Sequence, residues 1–168
     1  MDGEATNPFL DDVLAGLSAR RKAIPSRWLY DARGSQLFDE ITELDEYYPT
    51  RTELKILTGQ ARDMANAIGP DAVIVEYGAG SLMKVRILLD ALEAPRAFVP
   101  VDISSEHLEA SANELRAFYP DLDIYPVASD FMASNLGASL PEGGRRRAGF
   151  FPGSTMGNLL DREIDRFL

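Results

Sequence analysis

The stretch Ala72-Val73-Ile74-Val75-Glu76-Tyr77-Gly78-Ala79-Gly80-Ser81 decides how the rest of the chain is read. Its first part is a short β-branched run with its one charge near the end, the composition of a strand covered on both faces of a parallel sheet. Gly78 and Gly80 come directly after that run. Gly78 suits a tight turn, and Gly80 lets ligand atoms approach the backbone. Apolar residues then recur at helical spacing, which predicts a helix from Ser81 to Leu92 with Val85, Leu88, Leu89 and Leu92 on one face. Free amides at the start of such a helix favour a polar ligand. The competing reading is a plain strand-to-helix turn.

Working outward, Ala97–Asp102 reads as a second strand, and Ser104 as the cap of a helix reaching Phe118. Asp123–Ala128 and Ala148–Phe151 read as a third and a fourth strand, with a last helix from about Leu159. Strands alternating with helices indicate an α/β doubly wound sheet. Pro126 cannot donate to a ladder and belongs on an edge strand, which fits the order 3-2-1-4. Upstream, Thr50-Arg51-Thr52-Glu53 matches a capping box before a helix carrying Leu54, Leu57, Ala61, Met64, Ala65 and Ile68, stopped at Gly69-Pro70. Residues 26–49 are rich in aromatics. There, Asp31–Ser35 reads as a turn before a short helix, Gln36 to Leu44. Another short helix is expected around Asp11 to Arg21.

Composition narrows the function. The chain has 168 residues, enough for one domain with a core, and a formal net charge of -10. That acidity disfavours a phosphate backbone as partner. The basic cluster Arg145-Arg146-Arg147 reads as a solvated loop entering a strand. The absence of cysteine excludes disulfides and thiol chemistry and fits a cytoplasmic location. No apolar run is long enough to cross a bilayer. His107 is the only histidine, so no histidine metal cluster is expected, and a solvated helix position is the favoured reading for it.

Several residues carry candidate chemistry. A dinucleotide fingerprint would place a third glycine at position 83, where this chain has Met83. S-adenosylmethionine has no phosphate and needs no such cradle. Lys84, in the first turn of the helix, is placed to meet a ligand carboxylate, or is a solvated helix residue. Glu76, near the end of the first strand, is placed to orient the site through backbone amides or water. Asp102 ends the second strand, 22 residues after Gly80, where a carboxylate can accept two ribose hydroxyls. Its alternative role is the approach to the helix capped at Ser104. Asp130 is placed to bond an adenine amine and Phe131 to pack on the ring, or the pair is a turn acid beside a core aromatic. The three acids Glu76, Asp102 and Asp130 all fall at the carboxyl ends of parallel strands, where open α/β sheets bind ligands.

Phe150-Phe151-Pro152-Gly153-Ser154-Thr155-Met156-Gly157-Asn158 resembles the fourth-strand motif of the histidine-specific methyltransferases, which trimethylate the α-amine of histidine on the way to ergothioneine. Trp28–Phe38 and Glu46–Glu53 resemble that family too, and the likeness covers the chain from about Ile24 to Leu168. The resemblance implies that Gly78, Lys84, Asp102, Asp130 and Phe131 hold S-adenosylmethionine, with Tyr30 lining the cofactor site. It implies that Tyr47, Gly153 and Asn158 contribute to the amino-acid pocket. Without it, Tyr47 and Tyr48 read as core aromatics and Asn158 as a helix N-cap.

The expected protein is therefore a Rossmann-like class I methyltransferase half-sheet. Residues 1–49 form an N-terminal helical segment contributing to the substrate pocket. Residues 50–168 form an S-adenosylmethionine-binding domain, incomplete at its C-terminus. The expected function is N-methylation of the α-amine of histidine or a similar amino acid, with no metal, no nucleic acid and no membrane partner. Two alternatives stand: a non-catalytic or truncated S-adenosylmethionine-binding module, and a nicotinamide-dependent oxidoreductase. In a sheet of order 3-2-1-4 the apolar fourth strand is an open edge, which invites self-association.

Overall fold

The computed structural model describes residues 7–80, 82–132, 140–141, 143 and 146–168. At its centre lies β1 (Ala72–Tyr77), whose first five residues are buried. It pairs in parallel with β2 (Ala97–Asp102) on one side, with Val75 opposite Val99 and Tyr77 opposite Val101. On its other side it pairs in parallel with β5 (Arg146–Phe150), with Glu76 opposite Phe150. The third predicted strand is split into β3 (Asp123–Ile124) and β4 (Val127–Ala128), both parallel to β2. The break falls at Tyr125-Pro126. Pro126 has no N–H to give, so the ladder lapses there and resumes at Val127. Counting β3 and β4 as one strand, the sheet order is 3-2-1-4, as the sequence predicted.

Among the described residues six α-helices accompany the sheet: α1 (Pro8–Ser18), α2 (Ala32–Thr42), α3 (Tyr48–Ile68), α4 (Leu82–Leu89), α5 (Ser105–Phe118) and α6 (Asp161–Phe167). Alternation along the strands splits the core in two. Ala72, Ile74 and Phe98 pack with Leu82, Val85, Leu88 and Leu89 of α4 and with Ala112 and Leu115 of α5, and Met64 and Ile68 of α3 lie against them. Val73, Val75, Ala97, Val99 and Val101 face the other way, towards Tyr77, Val127, Phe131 and Leu140.

Several local expectations are corrected. Helix α3 begins at Tyr48, with Tyr47 at its N-cap, so Thr50 lies inside the helix and forms no capping box. Pro49 takes the start of this helix, where its missing N–H costs nothing. The segment at Asp31 is a helix start, not a turn: the Asp31 carboxylate accepts the Gly34 N–H at 2.7 Å and opens α2. Helix α4 ends at Leu89, one turn before the predicted Leu92. Ser104 holds the N-cap position of α5 but makes no side-chain cap. Arg146 and Arg147 are solvent-exposed as expected but already belong to β5, not to the loop before it, and donate to the Ala67 and Pro141 carbonyls. Arg145 lies outside the described residues. No helix among them is long and apolar enough to cross a membrane.

Candidate functional site

Backbone bonds gather the carboxyl ends of the strands. The Gly78 and Ala79 amides donate to the Val101 carbonyl at 2.9 and 3.1 Å, which fastens the glycine turn to the end of β2. The Ser129 amide donates to the Asp102 carbonyl at 2.9 Å, which fastens the end of β4 to the same place. Gly78 has φ +73°, a left-handed conformation that disfavours a side chain. Among the described residues nothing lies within 4 Å of where a Cβ at Gly80 would stand.

Glu76 is 1% exposed, and its Oε2 has no hydrogen-bond partner among the described residues. Burial pushes its carboxyl up to about 8; the Lys84 charge opposes the shift and Asp102 adds to it. An orphaned buried carboxyl of this kind is costly unless something meets it. Lys84, only 14% exposed, is not a solvated helix residue: its ammonium pairs with Glu53 Oε2 at 2.7 Å. Glu53 Oε1 accepts the Gly153 amide at 2.6 Å. Gly153 has φ +82°, and a Cβ there would come within 3.2 Å of the Lys84 Nζ. Thr155 closes the arrangement, since its hydroxyl lies within ordinary contact of a Cβ built at either Gly78 or Gly153. The fourth-strand motif therefore sits directly on the glycine turn.

The other candidates fall around this centre. Asp102 Oδ1 accepts the Ser104 amide at 2.9 Å, the local role named as its alternative. Asp130 Oδ1 accepts the Met132 amide at 2.8 Å, and its Oδ2 stands 3.6 Å from the Arg27 guanidinium. Phe131 packs into an aromatic cluster, with ring centroids 6.4 Å from Tyr77, 5.2 Å from Phe151 and 5.9 Å from Phe167. Tyr30 and Tyr47 flank Phe38 at 6.2 and 6.0 Å, which brings the two predicted pocket tyrosines to one ring. Asn158 is exposed and ends a short 3-10 turn, Thr155–Asn158; the N-cap of α6 is Leu160. His107, on the exposed side of α5, bonds the Gly80 carbonyl at 2.6 Å.

A cavity of about 880 Å³ opens beside Gly80 and runs between α2, α4 and α5, past Met83, Arg86 and His107. Met83 is 57% exposed on its wall. Sequence reasoning missed Glu53 as a site residue and did not see Thr155. Only the motif containing each was visible, because their partners lie far away in the chain.

A parallel sheet in this order, with a glycine turn at the tip of its first strand, defines a Rossmann-like domain. The chain belongs to the histidine-specific, S-adenosylmethionine-dependent methyltransferases, whose family model matches residues 9–168. It is 44% identical over 160 residues to a histidine N-alpha-methyltransferase of Mycolicibacterium smegmatis, covering 94% of this chain and 49% of that relative. It is 42% identical over 160 residues to the Mycobacterium tuberculosis protein of the same name, with the same coverage of both chains. Over 100 residues it is 43% identical to ergothioneine biosynthesis protein 1 of Neurospora crassa, covering 58% of this chain and 11% of that one. The chain thus spans about half the length of the bacterial relatives.

The family is S-adenosylmethionine-dependent, and the residues in place fit that molecule. Gly80 leaves room for ligand atoms against the backbone. The orphaned Glu76 oxygen offers a polar contact, and the Lys84 ammonium a charge of the sign a carboxylate tail needs. Asp102 and Asp130 stand at neighbouring strand ends.

Proposed function

We propose that the protein carrying this chain is an N-methyltransferase for the α-amine of histidine or a similar amino acid. The contact of the Gly153–Thr155 turn with Gly78 and Lys84 carries the reading, because it puts the candidate substrate loop against the candidate cofactor turn. When bound, the cofactor supplies a methyl group activated by a sulfonium.

The chain's own residues bind and orient. In this reading Lys84 meets the carboxylate tail, Asp102 accepts the ribose hydroxyls, and Asp130 and Phe131 take the adenine, with Tyr30, Gly78 and Gly80 lining the site. Tyr47, Gly153 and Asn158 place the substrate amine and carboxylate. Residues 1–49 wall the substrate pocket, supported by the Tyr30–Phe38–Tyr47 ring series, and residues 50–168 hold the cofactor. A neutral amine displaces a thioether with little acid–base help, so rate comes from positioning and from excluding water.

Thermal shift tests this directly. S-adenosylmethionine at about 100 times its dissociation constant stabilises a binding protein by roughly 2.7 kcal/mol. Stabilisation by NAD with none by S-adenosylmethionine overturns the reading. Mass spectrometry then reads methylated histidine. Tyr47→Phe and Asn158→Ala are expected to raise the KM for histidine about tenfold or more while cofactor affinity stays within about twofold; normal histidine kinetics in both variants refute their roles.

The second reading is a cofactor-binding module without catalysis of its own. Cofactor binding with no methylated product from the 168-residue chain selects it.

A further inference from the structure

We propose that Glu53 is a positioning residue whose carboxylate fixes the Lys84 ammonium and the Gly153 amide in one junction, and so aims Lys84 at the carboxylate tail of the cofactor. The inference rests on the function proposed above and extends it to a residue that touches neither ligand.

Three observations carry it. The two oxygens of one carboxylate are divided between two targets, Lys84 Nζ at 2.7 Å and the Gly153 N–H at 2.6 Å. Those targets come from α4 and from the turn after β5, and Glu53 reaches them from α3, so the group ties three elements that are distant in sequence. Both side chains are largely shielded from water, at 27% and 14% exposure, so the charge pair is screened less than a surface bridge.

The chemistry explains why this matters for a ligand. An ammonium has three N–H donors, and Glu53 occupies one direction only, which leaves donors for an incoming carboxylate. Gly153 completes the device. A Cβ there would stand 3.2 Å from Nζ, and the bare glycine leaves the ammonium its place.

The test compares two ligands by titration calorimetry on the 168-residue chain. S-adenosylhomocysteine carries the amino-acid tail, and 5′-methylthioadenosine has the same nucleoside and thioether without it. Glu53→Gln keeps the shape and an acceptor for the Gly153 amide but removes the charge. It is expected to weaken S-adenosylhomocysteine about tenfold and to leave methylthioadenosine within about twofold. The double variant Glu53→Gln/Lys84→Gln is expected to bind no more weakly than Lys84→Gln alone, because the two residues act as one unit.

Equal loss of both ligands, the mark of a merely structural brace, overturns the proposal. So does unchanged or tighter S-adenosylhomocysteine binding in Glu53→Gln, or additive losses in the double variant. Failure of the unaltered chain to bind either ligand falls instead on the proposed function, and the inference goes with it.

Discussion

The sheet and the N-terminal segment are built on opposite plans. In β1 and β2, two runs of five consecutive positions, Ala72–Glu76 and Ala97–Val101, are buried, and packed helices cover one of the two faces. By contrast, α1 and the 3-10 turn Ser26–Leu29 bury no residue, and Leu14 and Leu29 are 58% and 70% exposed. What holds that segment is a few contacts, polar ones and the packing of Phe9 on Trp28. Asp12 accepts from the Trp28 indole at 2.8 Å and from Arg27 at 2.6 Å, and Arg27 reaches on to Asp130. The Trp28 bond first, and then the Arg27 guanidinium, keep the Asp12 carboxyl below its ordinary range. The difference teaches that stability resides in the parallel sheet, while the N-terminal segment is a covering held at a few points. In the function proposed above this segment walls the substrate pocket, and an element that must admit a ligand is drawn from the low-stability end of a fold.

The largest expected effect breaks the sheet side of this contrast. Phe98, fully buried between α4 and α5, should cost about 3–5 kcal/mol when cut to alanine. Leu14→Ala, on the exposed face of α1, should cost less than about 1 kcal/mol. Chemical denaturation of the two variants measures the gap; similar midpoints would refute the division.

A smaller effect sharpens it at the strand tip. The Glu76 carboxyl stands at about 8 in the folded protein against 4.5 ordinarily. Between those values the unfolded chain is ionised while the folded chain keeps its proton. Stability therefore falls as pH rises through that window. Glu76→Gln lacks the penalty, so its melting temperature relative to the unaltered protein should climb from pH 5 to pH 8, by roughly 2–4 °C for each kcal/mol relieved. A difference flat with pH would show that Glu76 ionises freely.

The smallest global effect belongs to the N-terminal tether. Asp12→Asn should leave the unfolding midpoint nearly unchanged while the amides of α1 lose protection in hydrogen exchange and those of β1 keep it. Protection lost equally in both would mean one cooperative unit.

Legibility followed the same division. The parallel strands were readable because β-branched runs with full burial have no other use, and Pro126 marked the edge because it lacks an N–H whatever surrounds it. The glycine turn was readable from its place between strand and helix. The Asp31 helix start was written in the sequence and misread, since an Asx turn and an N-cap use the same side-chain-to-amide bond. The pocket candidates Asp102 and Asp130 were placed correctly at strand ends, but their bonds to the Ser104 and Met132 amides came only with the coordinates.

By itself, then, the sequence determined what depends on neighbours along the chain: the strand periods, the order of the sheet, the glycine turn, and which carboxylates end which strands. Tertiary structure alone decided what those carboxylates hold. Glu53 shows why. Read locally, it was a cap for helix amides three residues away, but the helix starts earlier and its carboxylate bonds Lys84 and an amide 100 residues on. A charged group settles on whichever partners packing brings within 3 Å in a shielded place, and no local pattern encodes that choice.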